Sequence, residues 1–312
     1  MTQTTIGIDI SKDRLDAHRL PEGRAKQFSN DKKGCRDLLA WIGRDPVARV
    51  VYEATGAYHR LIESIAGQAG LPLAKVNPRQ ARRFAEAIGT LAKTDRVDAA
   101  ILARMGAALQ LPQTSPADDE LADLKDLHLA RRALVKDRTA ARNRQKTVRI
   151  ALIKRQLAQR LKQIERQIQA IDAAIDLQIQ NNPVLRQRFD ILISIPGISN
   201  TTAATLLAEM PELGTLGAKQ TASLAGLAPV IRQSGTWRGR AHIRGGRATL
   251  RQALYMPALV ATRFNPDLKA SYARLRGAGK PPKIAITAVM RKLLITANAL
   301  IRQNRKWSPQ KP

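Results

Sequence analysis

Residues 4–11, with the sequence TTIGIDIS, decide the class of fold. β-branched and apolar residues surround one carboxylate, Asp9, in a run whose length and composition are typical of a strand. Two more short strands are predicted at residues 14–19 and 25–29, so the chain begins with a three-stranded meander. A carboxylate inside an apolar strand is rare unless it is paired or binds a metal, which makes Asp9 the first candidate site residue.

Helices and strands alternate after the meander. Asp31 is placed to cap a helix that extends to residue 44, and the run ARVVYEA at residues 48–54 has the composition of a buried strand. Strand signals that alternate with helix signals predict a mixed α/β domain on a central sheet. The remaining predicted elements are a strand over residues 72–76 and helices over 57–69, 78–88 and 96–109.

The chain then becomes helical. Residues 117–180 contain neither glycine nor proline, and leucine and isoleucine recur at helical spacing. This pattern predicts an antiparallel helical pair or coiled coil, and an ordinary bundle packed on the first domain explains it equally well. We therefore predict three parts: an α/β domain over residues 1–112, a long helical coiled-coil segment over 113–183, and a mostly α-helical basic domain over 184–312.

A turn motif opens the last part. Residues 194–210, SIPGISNTTAATLLAEM, place a Pro-Gly-Ile turn before a helix that begins at Asn200 or Thr201. This resembles half of a helix-hairpin-helix, in which turn amides and a helix N-terminus accept a phosphate, but it is also a common way to join two helices. The tail, residues 281–305, is predicted to form one basic amphipathic helix.

The charge of the chain restricts its partners. Its 312 residues include 53 Lys and Arg against 25 Asp and Glu, a formal net charge of +28. Residues 191–312 hold 19 basic and 3 acidic side chains, with no acid between Glu212 and Asp267. Such an excess is unfavourable unless a polyanion neutralises it. Because only 4% of residues are aromatic, we predict nucleic-acid binding through arginine and the phosphate backbone rather than through base stacking.

Composition also excludes several classes. The single cysteine, Cys35, excludes a disulfide framework and a cysteine-rich zinc site. The first residues lack the basic and apolar regions of a signal peptide, and charges interrupt every apolar run before it reaches membrane-spanning length. We expect a soluble protein of the cytoplasm.

Four carboxylates lie on separate predicted elements. Asp9 is within a strand, Glu53 ends another, and Asp95 and Asp98 are three residues apart at a helix start, so both project from one face. Taken singly, each has a simpler explanation, such as helix capping by Asp95. Brought together, they would repel one another unless a divalent cation neutralised them, and oxygen-only ligation favours Mg²⁺ or Mn²⁺. We therefore predict a metal site that meets a phosphodiester.

The acid-free stretch contains a candidate nucleophile. Ser234 is followed by Gly235, and six arginines that can hold a phosphate lie near it in sequence: Arg232, Arg238, Arg240, Arg244, Arg247 and Arg251. A serine hydroxyl needs activation by a base or a metal before it attacks. A serine beside glycine is also typical of an ordinary loop, so the residues alone leave both interpretations open.

Four motifs resemble those of a known family. They are GIDISK at residues 7–12, YEATGAYH at 52–59, VNPRQARRFA at 76–85 and KTDRVDA at 93–99. Their order resembles the ribonuclease-H-like fold of RuvC-type resolvases. Over nearly the whole chain they resemble, more closely, the DEDD-type transposases of insertion sequences related to the Piv DNA invertase. The resemblance implies a RuvC-like first domain whose Mg²⁺ ligands are Asp9, Glu53, Asp95 and Asp98.

The resemblance also implies a chemistry. Ser234 matches a serine that forms a phosphoserine link to DNA, which implies a 5′-phosphoserine intermediate, a free 3′-hydroxyl and strand exchange. Related members use a noncoding RNA of their own element to pair with target and donor DNA. They also imply a bacterial, nucleoid-associated homo-oligomer, in which the long helices form a dimer and a tetramer bridges two DNAs.

Two other functions agree with the same residues. One is a Mg²⁺-dependent junction endonuclease that uses the four acids but takes water as its nucleophile. The other is a non-enzymatic nucleic-acid-binding protein, in which the acids are structural and the basic domain coats the polyanion.

Overall fold

The fold was analysed in a computed structural model that describes residues 4–309 apart from Arg44, Thr55, Ala57, Leu91, Lys93 and residues 115–118. Several predicted features lie outside the described residues: the end of the first helix, the start of the second, two positions of the YEATGAYH motif and one of the KTDRVDA motif. The chain forms two compact units, residues 1–117 and 118–312.

The first unit is built on a five-stranded mixed sheet. Strands β1 (Thr4–Ile10), β2 (Arg14–Leu20) and β3 (Arg24–Ser29) form an antiparallel meander, and β4 (Val47–Glu53) and β5 (Leu73–Val76) continue the sheet in parallel. The strand order β3-β2-β1-β4-β5 places β1 at the centre. The mixed α/β domain predicted from the sequence is confirmed.

In the described part of this unit, four helices cover the sheet: α1 (Lys32–Ile42), α2 (Arg60–Gln68), α3 (Pro78–Ala87) and α4 (Asp95–Ala108). The predicted cap of α1 is confirmed, because the Asp31 side chain accepts a hydrogen bond of 2.7 Å from the backbone N–H of Gly34.

Side chains of β1 alternate between the two faces of the sheet. Ile6, Ile8 and Ile10 are buried in a core formed with α1 and α2. The opposite face packs on α3 and α4 through a second core that includes Val51 and Leu102. Asp9, between Ile8 and Ile10, therefore faces the side of the sheet that carries α4.

A long helical hairpin begins the second unit. Helices α5 (Asp119–Thr147) and α6 (Ala151–Asn181) run antiparallel, with Glu165 of α6 accepting ion pairs from Arg138 at 3.2 Å and Arg142 at 2.8 Å. The antiparallel pair predicted from the sequence is confirmed, and coiled-coil packing stays a prediction. The base of the hairpin joins the core of this unit through residues such as Leu124 and Ile175.

Short helices complete the second unit. The predicted start at Asn200 is confirmed, with Ser199 as the cap. The helices are α7 (Pro183–Ile193), α8 (Asn200–Glu209), α9 (Ala218–Leu224), α10 (Ala248–Ala253), α11 (Tyr255–Phe264), α12 (Pro266–Gly277) and α13 (Pro282–Arg302).

Helix α13 has one wide buried face and one exposed basic face, as the amphipathic helix predicted over residues 281–305 requires. Leu293, Leu294 and Ala297 are fully buried, whereas the basic side chains are exposed: Lys283, Arg291, Lys292 and Arg302. Among the described residues it alone is long and apolar enough to cross a membrane, with half of the apolar stretch buried inside the unit. Arg291 and Lys292 interrupt this stretch, as expected from the sequence, and its apolar composition suits a helix that packs into a core.

Candidate functional site

Two glycines allow α4 to lie directly on the sheet. A Cβ at Gly7 of β1 would overlap the carbonyl oxygen of Ala99 and the amide nitrogen of Ala103 in α4. A Cβ at Gly106 of α4 would lie 2.5 Å from Val51 Cγ2 and 2.7 Å from Thr5 Cγ2. Because both positions lack a side chain, the axis of α4 approaches β1 closely, and the first turn of α4 reaches the strand ends.

This contact brings the elements that carry the four predicted acids to one edge of the sheet. In the parallel pair of β1 and β4, Ile8 is opposite Tyr52, so Asp9 and Glu53 follow at the carboxyl ends of neighbouring strands. Asp95 and Asp98 occupy the first turn of α4. Parallel α/β sheets bind their ligands at this kind of strand end.

The acids influence one another electrostatically. The pKa of Asp9 is raised to about 6, first because the carboxyl is half-buried and then because Asp98, Asp95 and Glu53 repel its charged form. Carboxylate oxygens in a repulsive group fit a hard divalent cation in charge and chemistry. Among the described residues, no three His, Cys, Asp or Glu side chains are already placed as a set of ligands for one ion. The donor set therefore fits in chemistry, while cation binding requires the side chains to close around the ion.

A pocket of about 400 Å³ opens beside two of these acids, and sequence reasoning missed the residues on its other wall. Glu53 and Asp98 line one side, and exposed arginines of α3 line the other: Arg79, Arg82 and Arg83. The available signal was their spacing, since residues three and four apart share one helix face. Positive side chains next to an acidic site suit a phosphodiester, whose oxygens they can hold.

Ser234 lies in the second unit, on an exposed β-ribbon. The outer strands β6 (Pro229–Val230) and β9 (His242–Ile243) pair with each other, and the inner strands β7 (Gln233–Ser234) and β8 (Trp237–Arg238) pair beyond them. Ser234 ends β7, opposite Trp237, and Gly235 begins the turn with φ +55°. A two-residue turn of this kind favours a positive φ.

The ribbon is anchored at its base. Gly226 and Gly246 approach so closely that a Cβ on Gly246 would overlap the backbone of Gly226, and both have positive φ. The N–H of Arg247 also donates to the carbonyl of Leu224 at 2.8 Å. The two ends of the exposed segment are therefore held together, and its tip carries Ser234.

The six predicted arginines separate into two groups. Arg247 donates to both carboxylate oxygens of Glu212, at 2.6 and 2.9 Å, and Arg251 donates to the carbonyl of Gly245 at 2.8 Å. These two stabilise the base of the ribbon. The other four are exposed: Arg232, Arg238, Arg240 and Arg244.

The predicted phosphate-binding turn is packed against a helix. Gly197, with φ +107°, lies against α11, where a Cβ would be 2.8 Å from the carbonyl oxygen of Pro257. Ile195 and Ile198 on either side are buried. This packing explains the glycine without a ligand, and a phosphate contact there stays a prediction.

A mixed sheet with four acids at the ends of β1 and β4 and the start of α4 is consistent with a DEDD-type, RuvC-like domain, and a basic helical unit accompanies it. Residues 6–148 match the family of DEDD transposases of the IS110 type, described as "Transposase". Residues 189–273 match the family described as "Transposase IS116/IS110/IS902 family". The chain belongs to the IS110 family of transposases, which are DNA-recombining enzymes.

Its relatives include proteins that match along their full length. The chain is 34% identical over 322 aligned residues to the "Pilin gene-inverting protein" of Moraxella lacunata, with 98% of both chains covered, and the Moraxella bovis protein of that name matches equally. It is 30% identical over 147 residues to the "Insertion element IS110 uncharacterized 43.6 kDa protein" of Streptomyces coelicolor, covering 46% of this chain and 35% of that protein.

Proposed function

We propose that this transposase cuts and rejoins DNA through a covalent link to Ser234, with a divalent cation held by Asp9, Glu53, Asp95 and Asp98. The observation that carries the proposal is that the ends of β1 and β4 and the first turn of α4 meet at one edge of the sheet, where burial and then repulsion by Asp98, Asp95 and Glu53 raise the pKa of Asp9 to about 6. Mutual repulsion of carboxylates is what a cation site of oxygen ligands predicts.

The four acids would hold Mg²⁺ or Mn²⁺, which when bound supplies Lewis-acid polarisation of a phosphate oxygen. Arg79 and Arg83 on α3 hold phosphate oxygens next to this pocket. The exposed arginines of the ribbon hold the phosphate that Ser234 approaches. We propose that the pocket and the ribbon act on the same phosphodiester, with the two contributed by different subunits of a homo-oligomer.

The covalent step exchanges one phosphoester for another. Ser234 Oγ bonds to phosphorus, the bond from phosphorus to the 3′-oxygen breaks, and the serine proton goes to that leaving oxygen by way of solvent. The products are a 5′-phosphoserine and a free 3′-hydroxyl. The 3′-hydroxyl of a second strand then attacks the phosphoserine and returns the proton to Ser234. Since the number of phosphodiester bonds is conserved, the reaction needs no nucleotide cofactor.

We also propose the partners and the setting of this reaction. The DNA substrates are a donor and a target, and a noncoding RNA of the element selects both by base pairing. The predicted segment 113–183 serves as the dimer contact, two dimers bridge the two DNAs, and the reaction takes place on the bacterial nucleoid in the cytoplasm.

A covalent adduct assay tests the proposal. Full-length protein is incubated with Mg²⁺ and nicked DNA that carries the coding sequence with its natural flanks, then denatured and resolved on a gel. Ser234→Ala should abolish the adduct, because no other group forms the ester. Thr236→Ala is the matched control, since it removes a neighbouring exposed hydroxyl from the same ribbon and should keep the adduct.

The other outcomes separate the rival functions. Metal-dependent cutting that survives Ser234→Ala without an adduct would identify the endonuclease that uses water. Binding without any cutting, unchanged by Asp9→Asn, would identify a protein that only coats nucleic acid.

A further inference from the structure

The distal half of the helical hairpin is a separate basic surface. Residues 138–164 span the end of α5, the connection and the start of α6, and they contain nine Lys or Arg and no Asp or Glu. The hairpin as a whole contains both acidic and basic side chains. The segregation of charge becomes visible only when residues 138–164 are counted separately. We call residues 138–164 the hairpin tip.

Most of these charges are available to a ligand. Arg138 and Arg142 are engaged by Glu165 at the border of the tip. The other seven are exposed, and none of them forms an ion pair with the residues that the structure describes: Arg144, Lys146, Arg149, Lys154, Arg155, Arg160 and Lys162.

We propose that the hairpin tip binds the phosphate backbone of duplex DNA outside the site where strands are exchanged. Ten residues of α5 and fourteen of α6 lie in the tip, which makes it a rod roughly 15 to 20 Å long. Duplex DNA carries one negative charge per about 1.7 Å of its axis, so a rod of this length lies beside enough phosphates to pair with several of the seven cations. The inference deepens the proposed function, on which the choice of DNA rests.

The charge argues against a second copy as the occupant of the tip, so the dimer contact proposed for segment 113–183 uses the part of the hairpin outside residues 138–164. Ile150 and Leu152 are 62% and 52% exposed at the tip and offer an apolar contact. Two tips that met there would bring two acid-free clusters of the same sign together, and this repulsion opposes association. A polyanion removes the repulsion and leaves the apolar residues to pack against the sugar–phosphate edge.

Salt-dependent binding of the full-length protein to a fluorescent 40-base-pair duplex tests the inference. The tip variant removes four charges from the two helices: Arg144→Gln, Lys146→Gln, Lys154→Gln and Arg155→Gln. Glutamine preserves the helices. The control variant removes four exposed charges from β3 and α1, where α1 covers the face of the sheet opposite the acids: Arg24→Gln, Lys32→Gln, Lys33→Gln and Arg36→Gln.

We expect the tip variant to bind DNA about 10- to 100-fold more weakly near physiological salt, and the slope of log K against log salt to fall by about two to four. In the control variant, the DNA affinity and the salt slope should both change far less. Each helix pair alone, Arg144 with Lys146 or Lys154 with Arg155, should give a part of the loss, which separates lost contacts from misfolding. Duplex RNA of equal length and anionic phospholipid vesicles are the comparison probes.

An unchanged DNA affinity and slope in the tip variant would overturn the inference, as would a loss confined to RNA or to vesicles. The proposed function is tested separately, because binding does not require Ser234. If Ser234→Ala retains cutting without an adduct while the tip variant loses DNA binding, the chemistry is wrong and the DNA-binding tip stands.

Discussion

The carboxylate pocket and the serine ribbon are built in opposite ways. Asp9 is half-buried on the central strand of a sheet, beneath a helix that only glycine at positions 7 and 106 allows so close. Ser234 is exposed at the end of a two-residue strand, outside any core. The first site has a fixed framework and destabilises the protein through charge repulsion, whereas the second is fixed only at its base.

This difference suits the proposed reaction, in which a covalent link to DNA is formed and then transferred. A metal site needs ligands held by packed elements, because coordination depends on distances to fractions of an ångström. A nucleophile that must first meet one strand and then present it to another benefits from an exposed position. The following predictions test this contrast, from the largest effect to the smallest.

Removing either chemical group should abolish DNA recombination, but the two substitutions should differ in their effect on stability. Asp9→Asn and Ser234→Ala should each lower activity on the order of 10³-fold or more. In metal-free buffer Asp9→Asn should raise the melting temperature, because the shift of the Asp9 pKa from 3.8 to about 6 corresponds to at most about 3 kcal/mol of repulsion and burial. Ser234→Ala should leave the melting temperature unchanged. Thermal denaturation in EDTA measures both, and a lower melting temperature for Asp9→Asn would contradict the account.

A methyl group should be far more harmful at Gly7 than at Gly235. Gly7→Ala forces α4 away from β1 and should cost about 3 kcal/mol or more of unfolding free energy, with loss of activity. At Gly235 nothing lies within 4 Å of a new Cβ, so Gly235→Ala should cost only about 1 kcal/mol, from its φ of +55°. Urea denaturation gives both values, and equal losses would show that the close helix contact is not needed.

The two units should respond oppositely to pH. Between about pH 4 and 6, folded Asp9 keeps a proton that the unfolded chain releases, so the stability of the first unit should fall as pH rises. Burial, and then Arg132 and Arg131, lower the pKa of His128 to about 4, outweighing Glu209 at 3.6 Å. The second unit should therefore lose stability as pH falls from about 6.5 towards 4, where the unfolded chain takes up the proton.

Denaturation of wild type and of each variant between pH 4 and 8 in metal-free buffer measures the direction in which stability changes with pH. Asp9→Asn should remove the loss of stability that occurs as pH rises from about 4 to 6. His128→Asn should reduce the loss of stability that occurs as pH falls from about 6.5 to 4. A loss in the same direction for both groups is incompatible with these environments.

The smallest effect is expected at the wall of the pocket. Arg79→Gln with Arg83→Gln should slow adduct formation by about 10-fold, because two charge-assisted contacts to phosphate are lost. Arg36→Gln, on the helix that covers the opposite face, is the control and should be neutral within about twofold. Initial rates of adduct formation at two salt concentrations measure these effects. Equal losses in the Arg79/Arg83 variant and in Arg36→Gln would mean that only the net charge of the protein matters.

Local patterns predicted most of the first unit. Alternation and β-branched residues located the five strands, and Asp31 marked the start of α1, because these signals act within a few residues. The positions of the four acids followed from strand ends and from the spacing within α4. The role of Gly7 did not follow, because its partner Ala99 lies in a helix that is distant in sequence.

The second unit was less predictable, because its strands give weak local signals and its arginines have partners that are distant in sequence. The strands of the ribbon are two residues long and exposed, so they carry no alternation of polar and apolar residues. Arg247 resembled its neighbours in sequence, but its partner Glu212 is 35 residues away. The amphipathic character of α13 could be predicted from its composition, but the helices that cover its apolar face could not.

The central claim is that the acids of the first unit and Ser234 of the second act on one phosphodiester. Trypsin cleavage after Arg232 and Arg238 releases the peptide QSGTWR, residues 233–238, from protein trapped on nicked DNA with Mg²⁺. After nuclease digestion, tandem mass spectrometry should find a 5′-phosphodeoxynucleotide on Ser234 in the wild-type protein and none in Asp9→Asn. An unmodified peptide from protein that has cut its DNA, or full modification in Asp9→Asn, would contradict the claim.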